Sequence, residues 1–217
     1  MDMRDVVAQV QTLEALRLFV AAFDAGQVAP KPARFRITPD AVLDENTPKK
    51  IFYIQQKQFS LHRQRTLLDV RNELPVATLR LSMFNRTPTY SAYRNTEHEE
   101  ILMHVFFETT KTPCSFKFTV DDISVRSEFT DLVGGQHCTI GCDFSTVNSD
   151  SLTFWLVRGS GETIDVQQTI ARLNYINKGL ENMSVVVDIA PGVDQIMMIL
   201  ICIGLLDEGV EDDSSLG

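Results

Sequence analysis

The sequence lacks a membrane-spanning apolar run, a disulfide framework and an excess of basic residues. Its longest apolar stretch, Val193–Leu206, would measure roughly 21 Å as a helix, less than the ~30 Å hydrocarbon core of a bilayer. Twenty Lys and Arg against 29 Asp and Glu leave a net charge of −9, which does not favour nucleic acid as a partner. The four cysteines are too few to form a disulfide framework in a chain of 217 residues. Residues 1–10 lack the basic start of a signal peptide. These absences predict a cytoplasmic protein.

Motifs for catalysis or cofactor binding are also missing. There is no glycine-rich phosphate loop and no βαβ alternation. His137, Cys138 and Cys142 could suggest a metal site, but strand alternation turns His137 away from both cysteines and no fourth ligand follows. Cys138 or Cys114 could meet His104 or His137 in space, yet no nucleophile motif surrounds them. We therefore expect no metal, no cofactor and no enzymatic activity.

The stretch Val193–Leu206 is the one around which the chain is organised. Its apolar residues cover every face of a helix, and such a helix must be buried on all sides. Asp194 suits the positive end of the helix dipole. Asp207 and Glu208 lie at the unfavourable end, so we expect them to be solvated, and Gly209 to end the helix.

The preceding chain predicts the elements that enclose this helix. Residues 1–26 are predicted to form an N-terminal amphipathic helix that packs on the domain, and residues 27–49 an extended, proline-containing connection with a short strand near Arg34–Ile37. From Ile51 the apolar period changes to two, with turns every eight to twelve residues. A sheet that closes around the helix buries it and leaves no free edges. The prediction is a mainly β, closed antiparallel barrel over residues 50–208, followed by an acidic tail at 209–217.

Three stretches resemble the LURP-one-related family. The most specific is Val185–Glu208, which contains a strand, an Ala-Pro-Gly-Val-Asp sequence and the apolar helix ending in Asp-Glu. The others are Leu152–Asn174 and Phe52–Leu81, where Asp69, Asn72 and Pro75 stand at the positions of the family's hairpin turn. The resemblance implies a fold similar to the tubby C-terminal domain and the phospholipid scramblases, with about twelve strands around a central helix. It also implies action at membranes, since tubby domains bind phosphoinositides through basic residues. The chain departs from the scramblases because it has no cysteine-rich palmitoylation run and no calcium segment.

One basic cluster is the candidate anion site. Convergent Lys and Arg side chains are what a phosphate group requires, and Arg can bind it through two N–H groups. Alternation places Arg63 and Arg65 on one strand face and His62 on the other, so that the two arginines can converge. The alternative is an ordinary solvated strand face. The predicted ligand-binding residues are Lys49, Lys50, Lys57, Arg63, Arg65, Arg80 and Arg86.

Two functions follow from these observations. The first is a non-enzymatic binding module for an anionic phospholipid headgroup, a phosphoinositide, at a membrane surface. The second is a protein-interaction or scaffold module that uses the N-terminal helix or the acidic tail as its contact surface. Salt-sensitive binding to vesicles would distinguish the first from the second, because exposed charge contacts are screened by salt.

Overall fold

The computed structural model describes residues 13–28, 30–57, 62–82, 87–94, 96, 100–114, 117–145, 151–159, 167–177 and 184–214. Side chains are described for these residues except 27, 109–123, 143–145, 175–177 and 209–214. A 3-10 turn at Ala25–Gln27 precedes twelve strands and one helix. The strands are β1 (Ala33–Ile37), β2 (Ala41–Asp44), β3 (Lys49–Gln56), β4 (Arg65–Asp69), β5 (Pro75–Leu81), β6 (Thr89–Arg94), β7 (Ile101–Cys114), β8 (Lys117–Thr130), β9 (His137–Ser145), β10 (Ser151–Arg158), β11 (Gln168–Asn177) and β12 (Ser184–Ile189). The helix is α1 (Gln195–Ser214).

The strands form a closed barrel in which each strand is antiparallel to the next along the chain. β1 pairs with β12, from Ala33 opposite Ile189 to Ile37 opposite Val185, and this pairing closes the sheet. The predicted closed antiparallel barrel is therefore confirmed. Closure removes the sheet edges, so the backbone groups of β1 and β12 pair with each other and offer no template for aggregation.

Helix α1 fills the barrel. Every residue from Ile196 to Leu206 is buried, as a helix without a polar face requires. The helix begins at Gln195, with Asp194 accepting N–H bonds from its first turn, and it continues to Ser214. The predicted end at Gly209 is thus wrong. Asp207 and Glu208, the first residues past Leu206, are held by side chains of the barrel.

Two barrel strands arise from the segment that we expected to be a connection, and the short strand predicted near Arg34–Ile37 is the first of them, β1. Residues 27–49 contain β1 and β2, so the barrel begins at Ala33 and not at residue 50. Pro30 and Pro32 lie just before β1, and Pro39 lies in the bend between β1 and β2. The prolines therefore mark the strand ends, where no ladder hydrogen bond is needed from their missing N–H.

The N-terminal helix is not found over the described part of its range. Residues 13–24 contain no helical turn, and residues 1–12 lie outside the described residues. Instead the chain runs across one end of the barrel, with Leu16, Val20 and Phe23 buried in the core. These three residues follow helical spacing along the sequence, and they are buried although the backbone that carries them is not helical. The backbone conformation is decided by partners on other elements, described next.

The N-terminal segment, residues 16–24, is held by backbone bonds to the turn before α1. Leu16 N donates to Pro191 O at 3.0 Å, Val20 N donates to Gly192 O at 2.9 Å, and Asp194 N donates back to Val20 O at 3.0 Å. We call this end of the barrel, where α1 begins, the proximal end. The opposite end, near Asp207, is the distal end.

Asp194 joins the N-terminal segment to the helix. Its side chain is fully buried and accepts N–H bonds from Ala22, Phe23 and Asp24 at 2.8–3.2 Å, and from Ile196 and Met197 at 2.9 and 3.3 Å. Burial raises the pKa of Asp194, and the N–H bonds oppose that shift because they stabilise the carboxylate. One carboxylate thus satisfies N–H groups from two segments at once.

Gly204 marks the closest approach of α1 to the barrel wall. A Cβ at this position would lie 2.7 Å from Cζ of Phe107 and 3.7 Å from Leu79. Phe107 cannot easily move, because it is fully buried and makes an edge-on contact with Tyr90, with ring centroids 5.5 Å apart. Glycine is therefore required by space and not by backbone conformation.

Gly204→Ala is expected to destabilise the protein by about 1–3 kcal/mol through overpacking. On an open helix face the same change would stabilise by up to about 1 kcal/mol. Chemical denaturation of the wild type and of Gly204→Ala gives the sign of the change in the free energy of unfolding. Adding Phe107→Leu to the variant should cost less than adding it to the wild type, because the smaller side chain makes room. A stabilised Gly204→Ala protein would contradict the close contact.

Asp194→Asn is expected to lower the free energy of unfolding by at least about 3 kcal/mol, because several buried N–H groups lose a charged acceptor. The matched control is Asp24→Asn, since Asp24 accepts only one exposed bond, from Gly26 N at 2.8 Å. The control should cost less than about 1 kcal/mol. Equal losses in the two variants would show that the buried carboxylate does not join the two segments.

Candidate functional site

The predicted basic cluster divides between the two barrel ends. Lys49 and Lys50 begin β3 at the proximal end, whereas Lys57 follows the last residue of the same strand at the distal end. Seven residues of strand between Lys50 and Lys57 span roughly 23 Å. No single headgroup can contact both lysines. Arg86 lies outside the described residues.

At the distal end the two arginines converge, but on carboxylates of the protein itself. Arg65 Nη2 lies 2.5 Å from Asp207 Oδ1, and its Nε lies 3.0 Å from both carboxylate oxygens. Arg63 Nη1 lies 3.4 Å from Glu208 Oε1. The predicted convergence of Arg63 and Arg65 is thus found, while the expected solvation of Asp207 and Glu208 is wrong. Their side chains are only 8% and 13% exposed.

Tyr90 completes this distal network. Its hydroxyl donates to Glu208 Oε1 at 2.7 Å. Burial, followed by the charge of Glu208, raises the pKa of Tyr90, so the hydroxyl keeps the proton that it donates. The network compensates two carboxylates that are nearly buried where the helix leaves the barrel. It is an anchor for α1.

Arg80 does not join the other arginines. Arg65 is opposite Leu79 in the β4–β5 pairing, so Arg65 and Leu79 share the inner face and Arg80 points to the outer one. The Nε atom of Arg80 is buried without a hydrogen-bond partner. His62 lies beside this region, with its Nδ1 3.1 Å from Leu81 O. The distal cations therefore do not form one site.

The proximal end has a groove of about 810 Å³ that brings together cations from three stretches of the sequence. Its walls come from the segment before β1, the β2–β3 turn, the β4–β5 turn and the first residue of α1. The charged residues that line it are Lys31, Arg34, Lys49, Lys50 and Arg71, with Asp44 and Asp69. Five cations against two anions make the groove positive in a chain with a net charge of −9.

The two acidic residues of the groove are occupied by local bonds. Asp69 accepts Arg71 Nη2 at 2.6 Å, and the hydrogen bonds from Arg71 lower the pKa of Asp69. Asp44 accepts bonds from Asn46 N at 2.8 Å and Thr47 Oγ1 at 2.9 Å. Both carboxylates shape turns. This leaves the groove's lysines to attract anions from solution.

The lysines of the groove are exposed. Among the described residues, no carboxylate lies within ion-pair distance of Lys31, Lys49 or Lys50. Lys50 Nζ lies 4.7 Å from the ring centroid of Tyr53, a cation–π contact that orients the side chain. Arg34 has Asp188 at 3.5 Å. Sequence reasoning identified Lys49 and Lys50 but missed Lys31, Arg34 and Arg71, which join them only through the barrel topology.

The cysteine and metal candidates lack the surroundings that their chemistry needs. Cys138 is buried, and burial raises the pKa of its thiol to about 11, so it carries little thiolate at neutral pH. His137 is exposed at the start of β9. Within the described ranges, no three His, Cys, Asp or Glu residues are placed to hold a metal ion. The Cys114 side chain lies outside the described residues.

Arg65→Ala is expected to lower the free energy of unfolding by about 3 kcal/mol, because it leaves the carboxylate of Asp207 buried without its partner. Urea denaturation measures the loss. The matched control, Lys57→Ala, removes an exposed cation at the same barrel end and should change stability by less than about 0.5 kcal/mol. An Arg65→Ala protein as stable as the control would mean that the pair does not anchor the helix.

Comparison with known proteins identifies a family but no individual relative. The family model described as LURP-one-related matches residues 34–206, which is more than half of the chain and coincides with β1 through the buried part of α1. No curated protein and no solved structure matches the chain. None of the helices in the described ranges is both long and apolar enough to cross a membrane. On the strength of its barrel, its enclosed helix and this match, the chain belongs to the LURP-one-related family.

Proposed function

We propose that this protein is a non-enzymatic binding module that recognises the headgroup of an anionic phospholipid, a phosphoinositide, at a membrane surface. The observation that carries the proposal is the positive groove at the proximal end, with Lys31, Lys49 and Lys50 exposed and free of described carboxylate partners. Phosphate groups favour such convergent cations. The groove volume of about 810 Å³ also leaves room for a phosphorylated sugar ring.

The family resemblance supports the same class of ligand, because tubby-like domains bind phosphoinositides through basic residues. The proposed site is smaller than the sequence suggested. Lys49 and Lys50 remain in it, whereas Arg63 and Arg65 are assigned to the distal anchor. Lys57 and Arg80 lie at the distal end as well, too far from the groove to contact the same headgroup.

The second candidate is a protein-interaction or scaffold module. Its proposed contact surface, an N-terminal helix, is not available in residues 13–24, whose backbone is bonded to the barrel end. The acidic residues beyond Glu208 are the other contact surface that this second candidate would use. Lipid binding is favoured because it explains the exposed lysines directly.

Lys49→Gln/Lys50→Gln is expected to weaken binding to vesicles that contain phosphatidylinositol bisphosphate. Each lysine near an anionic surface contributes about 1 kcal/mol, so the double variant should bind about thirtyfold more weakly. Co-sedimentation with phosphatidylcholine vesicles, with and without the phosphoinositide, measures the change at low and high salt. Wild-type binding should fall with salt, because exposed charges are screened.

The control is Lys57→Gln, which removes one exposed lysine at the other end of the same strand. It should bind as the wild type does. Equal losses in the control and the double variant would mean that net charge, and not the groove, determines binding. If the wild type does not bind at low salt, the lipid function is rejected, and a protein partner is the hypothesis to test next.

A further inference from the structure

Exposed apolar side chains are concentrated at one end of the molecule. Of the described residues, seven large apolar side chains are exposed, and only Tyr53 of β3 lies on the barrel wall. The other six belong to the N-terminal segment, the β4–β5 turn, the start of β7 and the β8–β9 turn, all at the proximal end. They are Leu18, Phe19, Leu74, Ile101, Leu132 and Val133.

Four of these residues lie on two segments that are hydrogen-bonded to each other. Leu18 and Phe19 are 65% and 53% exposed, and Leu132 and Val133 are 50% and 52% exposed. The two pairs are brought together because Leu132 N donates to Ala21 O at 2.8 Å. We call these four side chains the apolar rim.

The backbone under the apolar rim is held by a buried ion pair. Arg158 Nη2 donates to Leu18 O at 2.6 Å and lies 3.3 Å from Phe19 O, while Arg158 Nη1 lies 3.3 Å from Asp131 Oδ2. Asp131 also accepts Ala21 N at 3.0 Å and Val133 N at 3.1 Å. Both partners are nearly inaccessible to solvent. The rim side chains therefore face water on a fixed support.

Single exposed apolar residues are common on protein surfaces, but a cluster of them at one end marks an interaction surface. The positive groove opens at this same end, on the other side of the barrel mouth. Apolar side chains beside cations suit the boundary of an anionic bilayer. The apolar side chains can enter the acyl region, and the cations can bind the phosphates.

We infer that the proximal end is the surface with which this protein docks on an anionic bilayer, the apolar rim entering the acyl boundary while the groove holds a headgroup. The inference rests on the proposed function and adds the orientation and the second set of contacts. Glu14, Asp24, Glu73 and Glu100 are also exposed at this end and weaken the attraction to anionic lipid. The apolar rim therefore supplies part of the affinity.

Two binding measurements separate this inference from the proposed function. Leu18→Gln/Phe19→Gln should lower the partition coefficient onto phosphoinositide-containing vesicles by at least about tenfold, because membrane affinity follows the apolar area that is buried. The same variant should bind water-soluble inositol trisphosphate as the wild type does, by calorimetry. The control, Leu18→Met/Phe19→Leu, keeps the rim apolar and should retain vesicle binding.

The outcomes are distinguishable. Loss of inositol trisphosphate binding only in Lys49→Gln/Lys50→Gln, with loss of vesicle binding in both double variants, supports both proposals. Unchanged vesicle binding by Leu18→Gln/Phe19→Gln overturns docking through the rim and leaves the headgroup site intact. Wild-type protein that binds neither probe overturns the proposed function, and the docking inference with it.

A fluorescence measurement tests the orientation directly. Phe19→Trp places an indole on the apolar rim, and Gln56→Trp places one on an exposed position at the distal end. With vesicles of brominated lipid, the emission of the first variant should shift to the blue and be quenched, while the second should match the wild-type baseline from Trp155. Quenching of both indoles, or of neither, contradicts docking by the proximal end. A rim that stays in water on bound vesicles would point to a protein as its partner.

Discussion

Helix α1 persists in water only because twelve strands keep water from every one of its faces. A helix with no polar side gains its stability from burial, and an open sheet could cover only one face of it. Closure through the β1–β12 pairing solves this problem and removes the sheet edges at the same time. The close contact at Gly204 shows how tightly the wall fits the helix. Enclosure also determines what lies at the two barrel ends, because the polar groups of the helix that are buried there need hydrogen-bond or ion-pair partners.

The two ends satisfy those groups with opposite chemistry. At the proximal end the N–H groups of the first turn meet the buried carboxylate of Asp194, which also holds the N-terminal segment across the barrel mouth. At the distal end Arg65, Arg63 and Tyr90 bind the carboxylates of Asp207 and Glu208. The arginines that look most suited to a ligand are therefore used within the fold. Three exposed lysines without described carboxylate partners, Lys31, Lys49 and Lys50, lie at the proximal end, where six of the seven exposed large apolar side chains also lie.

This division gives the two barrel ends different roles. The distal network stabilises the fold, so under the proposed function a substitution there would reduce ligand binding only through unfolding. The proximal end combines a positive groove with an apolar rim, so under the proposed function substitutions of their exposed side chains should change binding and leave the fold intact. The distinction guides mutagenesis of this protein, because loss of function by an arginine variant does not by itself identify a binding residue.

The sequence by itself determined the enclosed helix, the β character of the chain and, through Ala-Pro-Gly-Val-Asp, the family. These features are local: an apolar helix on all faces and an alternating strand can be recognised within a few turns of chain. It did not determine that residues 13–24 are non-helical, that 27–49 supply β2 as well as the expected strand β1, or which cations are free. Arg65 meets Asp207 across 142 residues, and Lys31 joins Lys49 and Arg71 only when the barrel closes. Only the tertiary structure decided these pairings, because spacing along a chain does not say which distant charges share one end of a barrel.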